Sequence, residues 1–258
     1  VTTDAQSPVA TPPSIAEVDL RAPFRWLAAG TRDFLAHPLP SAFYGVCFAL
    51  MAGLITLALR YAFELASALT TGFFLVGPFL AIGVYDLSRR RERGEPVLLA
   101  PTLDAWRANT AAIGMFAVVL TVVLLVWARA SLVVFALFYT GGMPTFASFA
   151  AQLLSTSNVE FLLAYACVGG FFAILTFAVS VVSVPMMLDR RVDGVVAVLT
   201  SLRAFAANPP AMMVWAALIV AVIAAGFALF LVGLVVAVPV IGHATWHAYR
   251  DLVRADVR

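Results

Sequence analysis

The chain has 258 residues, 63% of them hydrophobic and 12% charged, with a mean hydropathy of +0.99. A soluble domain is nearer half apolar and a quarter charged, so composition argues against a water-soluble fold and for a multi-pass, all-α membrane protein. A net charge of +2 gives no basic surface for nucleic acid, and no nucleic-acid partner is expected. The basic residues are all Arg, and their placement carries the information.

Residues 1–20, with Pro8, Pro12 and Pro13 among Ser, Thr and Ala, read as a disordered cytoplasmic tail. Residues 21–258 read as a single transmembrane domain. No positive stretch precedes an apolar one near the start, so a signal peptide is not expected. Phe24, Leu27, Ala28, Thr31, Phe34 and Leu35 follow helical spacing, with Arg25, Arg32 and Asp33 off that stripe. A short helix along the membrane surface is predicted, broken by His37-Pro38-Leu39-Pro40.

The first span is placed at about 42–59, where Gly45, Ala49 and Gly53 form a small-residue stripe for helix packing. Arg60 and Glu64, one turn apart, form a candidate pair beyond it. The second span, about 65–85, carries Pro78 and ends in Asp86 and the cluster Arg89, Arg90, Arg91 and Arg93. These arginines suit a cytoplasmic exit and anionic headgroups. The third span covers about 110–128. The uncharged stretch 131–157 reads either as an extension of that helix or as an external interfacial helix.

The fourth span, about 161–188, holds Pro185, places Thr176, Ser180 and Ser183 on one face, and exits through Asp189, Arg190 and Arg191. A second surface helix over 195–207 ends at Asn208-Pro209-Pro210. The apolar block after it is too long for one crossing. A tight hairpin near Gly226 would divide it into spans at about 210–225 and 227–246.

Six spans follow from the arginines. With the N-terminus inside, only Arg60 and Arg129 of the 16 basic residues lie outside, and both termini are cytoplasmic in a bacterial inner membrane. An internal repeat supports this count. Arg32-Asp33-Phe34-Leu35-Ala36-His37-Pro38 matches Arg203-Ala204-Phe205-Ala206-Ala207-Asn208-Pro209, with a weaker copy at Trp106-Arg107-Ala108-Asn109. The predicted architecture is three helical hairpins, each preceded by a short interfacial helix. The second helix of each hairpin carries a proline and then an acid: Asp86, Asp189 or Asp251.

Little here carries chemistry. Cys47 and Cys167 sit in apolar stretches with no Cys-x-x-Cys pair and read as buried small hydrophobes. His243 and His247 are one turn apart, a spacing that can put two imidazoles on one metal, with His37 at the same membrane face. The simpler account is a pair of interfacial histidines beside Trp246, with Asp86, Asp189 and Asp251 in local ion pairs. The span centres hold no ionisable residue, which argues against a proton-driven pump. No Ser/His/Asp elbow is recognisable.

The Arg-x-Phe-x-x-His/Asn-Pro entries at Arg32 and Arg203, and the Gly77-Pro78 to Tyr85-Asp86 helix with its Arg-rich exit, carry a resemblance. Phe24 to Val253 resembles a family of uncharacterised bacterial integral membrane proteins, some labelled cytochrome c oxidase subunits. The label implies an accessory link to a respiratory complex. It does not imply the catalytic subunit, because these spans lack the histidines that would hold haem and copper. The expected function is therefore a non-enzymatic accessory or assembly subunit, with no cofactor, contacting membrane lipids and other integral membrane subunits. The alternatives are a repeat-built transporter or lipid-handling protein, and a haem- or metal-binding protein using His243 and His247.

Overall fold

A computed structural model describes residues 13–61, 63–138, 159–190 and 192–254, without the side chains of 63–68, 71, 74 and 75. The described residues are helical, with no strand among them. In chain order the helices are α1 (Ala22–Ala36), α2 (Pro38–Tyr61), α3 (Phe63–Glu92) and α4 (Leu99–Leu103), then a 3-10 turn at Ala105–Asn109 and α5 (Thr110–Phe138). After them come α6 (Val159–Ser180), α7 (Ser183–Asp189), α8 (Gly194–Ala207), α9 (Pro209–Ala228) and α10 (Leu234–Leu252).

Among the described residues, four segments are long and apolar enough to cross a membrane: Pro38–Tyr61, Ala105–Phe138, Val159–Asp189 and Pro209–Ala228. In the first, only 17% of the apolar window is buried inside the protein. Side chains such as Leu50, Leu54 and Leu57 point outward, which is stable only if the solvent there is hydrocarbon. The aromatic core lies at one end, where Trp26, Trp215, Trp246 and Tyr249 are fully buried. That end also carries Arg89 to Arg93.

Prolines set the joints. His37, with φ −134° and ψ 64°, precedes Pro38, and Asn208, with φ −131° and ψ 45°, precedes Pro209. A residue before proline is pushed out of helical geometry, so α1 and α8 both stop there and a long helix starts again. The fourth predicted span is likewise two helices. Pro185 cannot accommodate the carbonyl of Val181, and the chain breaks at residues 181–182. Ser201 of α8 repairs the break: its Oγ accepts from Val182 N–H at 3.2 Å and donates to the Ala178 carbonyl at 2.7 Å.

The long apolar block divides at residues 229–233. Phe230 and Leu231 adopt left-handed φ values of 53° and 66°, strained for side chains of that size. Gly226 and Gly233 let the two arms meet, since a Cβ on Gly233 would lie 2.7 Å from Gly226 O.

One expectation is corrected. Residues 13–20 are not a free tail: Ile15 pairs with Val253, and Asn208 Oδ1 accepts from Val18 N–H at 2.8 Å while its Nδ2 donates to the Ala16 carbonyl at 3.0 Å. An amide at a helix end, already obliged to find partners, recruits this strand-like segment. On α1, the apolar stripe faces outward as a helix along a membrane surface requires, with Phe24 and Leu35 exposed, but Asp33, which lies off that stripe, is buried with Ala22, Trp26 and Gly30. The small face wins the protein contact because a Cβ on Gly30 would sit 2.5 Å from Ala244 N, so only glycine permits this approach to α10. The expected interfacial helix after Pro144 and the tail 1–12 lie outside the described residues. The Arg60–Glu64 pair involves a side chain that is also outside them.

Candidate functional site

Two neighbourhoods hold the polar side chains that sequence reasoning singled out. The first joins α1, α2, α3 and α10 at the Arg-rich end. His243, 1% exposed, is held at both ring nitrogens: Nε2 lies 2.9 Å from Ser41 Oγ and Nδ1 lies 2.7 Å from Ser88 Oγ. Ser88 donates to Asp33 Oδ2 at 2.6 Å. His247 Nε2 lies 2.9 Å from the same oxygen, and Arg91 pairs with Asp33 Oδ1.

Proton counting assigns the tautomer. Ser88 has one hydroxyl proton, and the ionised Asp33 only accepts, so Nδ1–H of His243 must donate to Ser88. Ser41 also has one hydroxyl proton, which reaches the His37 carbonyl at 2.8 Å, so a neutral His243 accepts at Nε2 only when that proton turns away from the carbonyl. Burial pushes the Asp33 carboxyl up, but hydrogen bonds from His247 and Ser88 and the nearby imidazoles outweigh it and hold it below its ordinary range.

The arrangement contains a serine, a histidine and an acid, yet it is a lock between helices. Ser41 is 0% exposed and borders neither of the cavities described below. The two histidines expected at a metal contact different groups, His243 Nδ1 lying 2.7 Å from Ser88 Oγ and His247 Nε2 2.9 Å from Asp33 Oδ2. Among the described residues, no group of three His, Cys, Asp or Glu is placed to hold one.

The arginines expected at lipid headgroups are paired within the protein. Arg89 and Arg90 hold the buried Asp86, and Arg93 holds Asp189 at 3.0 Å. Arg190 Nε donates to Tyr249 Oη at 3.2 Å, and Tyr249 in turn donates to Asp189. Arg250 and Trp246 Nε1 both reach Glu92, and Trp26 Nε1 donates to Asp251 at 2.8 Å. Arg191 lies outside the described residues. In the small-residue stripe, a Cβ on Gly45 would lie 2.1 Å from Val235 O, Gly53 faces Leu231, and Ala49 is half-buried. The close approach at Gly45 is thus made by α10 of the same chain.

The second neighbourhood is a pair of cavities among the long helices. One, about 410 Å³, lies between α5 and α6 and is bordered by Leu124, Trp127, Gly169 and Phe172. The other, about 320 Å³, is bordered by Phe48, Phe73, Pro78, Tyr85 and Thr245. Leu120, Thr176, Phe177 and Ser180 border both. Thr176 and Ser180 were legible as a polar face. Ser183 instead bonds back to the Val179 carbonyl. Asp33, Ser41 and Ser88 were not anticipated as a unit, and Tyr85 was read only as part of a helix exit. The one signal available was Asp33 as the single acid of an interfacial helix whose other charges are Arg25 and Arg32.

Residues 65–189 match the model of a family described as predicted integral membrane protein (DUF2189). That span takes in most of α3 and then α4 to α7, including most residues around the cavities, and the chain is accordingly a multi-pass integral membrane protein. No curated protein and no solved structure matches the chain.

Proposed function

We propose that this is a non-catalytic membrane protein that holds a lipid-like molecule inside its helical bundle. The observation that carries the reading is the joined pair of cavities, about 410 and 320 Å³, lined almost wholly by apolar side chains. Volumes of this size suit a small ligand, and the lining suits a hydrocarbon chain. In this reading α3 and α10 cross the bilayer beside the four apolar segments, giving six spans. The Arg-rich end lies in the cytoplasm of a bacterium, and both chain termini share that side. The paired break geometry at His37-Pro38 and Asn208-Pro209 supports an underlying repeat.

Purification in mild detergent followed by lipid extraction tests the proposal. A stoichiometric lipid should survive washing of the wild type and be lost from Gly169→Leu. A Cβ at Gly169 meets nothing within 4 Å, so a leucine there enters open cavity space. Lipid recovered equally from both proteins, or from neither, counts against the reading.

A second reading is an accessory subunit of a larger membrane assembly, including a respiratory oxidase. It is favoured by the exposed apolar face of α5, formed by Val118, Val122, Leu125 and Val126. Native co-purification should then bring down stoichiometric partners, and a clean monomer counts against it.

A further inference from the structure

The cavities contain an unsatisfied donor. Tyr85 is 9% exposed and borders the smaller cavity, and its hydroxyl has no hydrogen-bond partner among the described residues. Thr176, which borders both cavities, also has no hydrogen-bond partner for its hydroxyl there. The other two hydroxyls are already committed: Ser180 donates to the Thr176 carbonyl at 2.6 Å and Thr245 to the Ile241 carbonyl at 2.8 Å. A buried phenol that finds no acceptor is costly, and hydrocarbon cannot supply one.

The polarity of the space runs along the bundle. Tyr85 lies one turn from Arg89, at the Arg-rich end, whereas Phe73 lies about 18 Å further along α3 at the helical rise. Trp127 and Gly169 extend the larger cavity in the same direction, away from the Arg-rich end. Among the described residues, no Asp, Glu, Lys, Arg or His borders either cavity. A phosphate or ammonium head would therefore be buried there without a counter-charge.

We infer that the site takes a neutral amphiphile whose head presents a carbonyl oxygen to Tyr85 Oη–H, beside Thr176, with its chain running past Phe73 or toward Trp127. This rests on reading the cavities as a lipid site. Two classes carry the required chemistry: a quinone, through a ring carbonyl at the Tyr85 end of the smaller cavity, and a neutral glyceride, through its ester carbonyl.

The full chain in nanodiscs is titrated by calorimetry with a decyl-substituted benzoquinone, with dioctanoylglycerol, and with dioctanoyl phosphatidylglycerol as the charged control. At least one neutral probe should bind more tightly than the charged one. Tyr85→Phe should weaken it at least tenfold, and Thr176→Val by a smaller factor, with the melting temperature of the empty protein unchanged. The preferred neutral probe identifies the source. If Tyr85→Phe does not fold, the Thr176→Val comparison decides. Equal affinity in the hydroxyl variants, or preference for phosphatidylglycerol, overturns the inference while leaving the lipid site intact, provided Gly169→Leu still abolishes binding. Absence of binding by every probe, with no co-purified lipid, removes both.

Discussion

The α1–α10 junction and the α5–α6 pair are built on opposite plans. At the junction, glycine brings two backbones into contact, and Asp33, Ser41, Ser88 and His243 satisfy one another with almost no exposure. Between α5 and α6, Gly169 and Gly170 face open space, and a cavity of about 410 Å³ separates the helices. Close packing and a dense hydrogen-bond network fix the geometry of the Arg-rich end, although the buried Trp215 Nε1 and Arg89 Nε have no hydrogen-bond partner among the described residues. The loose half keeps room for an occupant. The same residue type thus means contact in one region and vacancy in the other, and substitution distinguishes them.

The largest effect is expected at Gly45→Val, where the new Cβ would lie 2.1 Å from Val235 O. Overpacking of this kind costs about 3 kcal/mol. The variant should melt far below wild type in detergent, whereas Gly169→Ala should be neutral or slightly stabilising, as alanine favours the helix by roughly 0.5–1 kcal/mol. Similar melting of the two variants would erase the comparison.

Next is Asp33→Asn, which removes the charge shared by Arg91, His247 and Ser88. Because Arg91 is 38% exposed, the expected loss is discounted to about 1–2 kcal/mol. The pH dependence has a definite sign. The folded carboxyl titrates below its ordinary range, so its contribution is full above that range and is lost as pH falls through the folded value. Wild type should lose stability in acid over that window, and Asp33→Asn should lack this component of the acid loss, read from melting temperature against pH.

The sequence displayed the apolar lengths, the proline joints and the arginine asymmetry because each is local. It did not display the lock, because Asp33 and His243 are distant in the chain and meet only when α1 lies on α10. On α1 the lipid-facing stripe was legible and the protein-facing side was not. Hydrophobic periodicity marks the side that leaves water, but beside a bilayer that side can face lipid while glycine faces protein. Tyr85 was hidden in the same way, since nothing local marks a tyrosine whose hydroxyl lacks a partner.

Smaller effects test the joints. Ser201→Ala should cost about 1 kcal/mol by exposing the break at Val182, seen as a lowered melting temperature. Arg93→Ala, whose pair with Asp189 is half open to solvent, should cost less than about 0.5–1 kcal/mol and be weaker still at high salt. A large loss there would move weight from the buried lock to the outer ion pairs.

The central claim is that the paired polar end stands in the cytoplasm while the apolar helices cross lipid to a turn at residues 229–233. Replacing Cys47 and Cys167 with alanine, then introducing Glu95→Cys or Phe230→Cys, allows both ends to be probed with a membrane-impermeant maleimide. The account predicts that position 230 labels in intact cells and position 95 only in inverted vesicles. Labelling of both positions from the same side would contradict it.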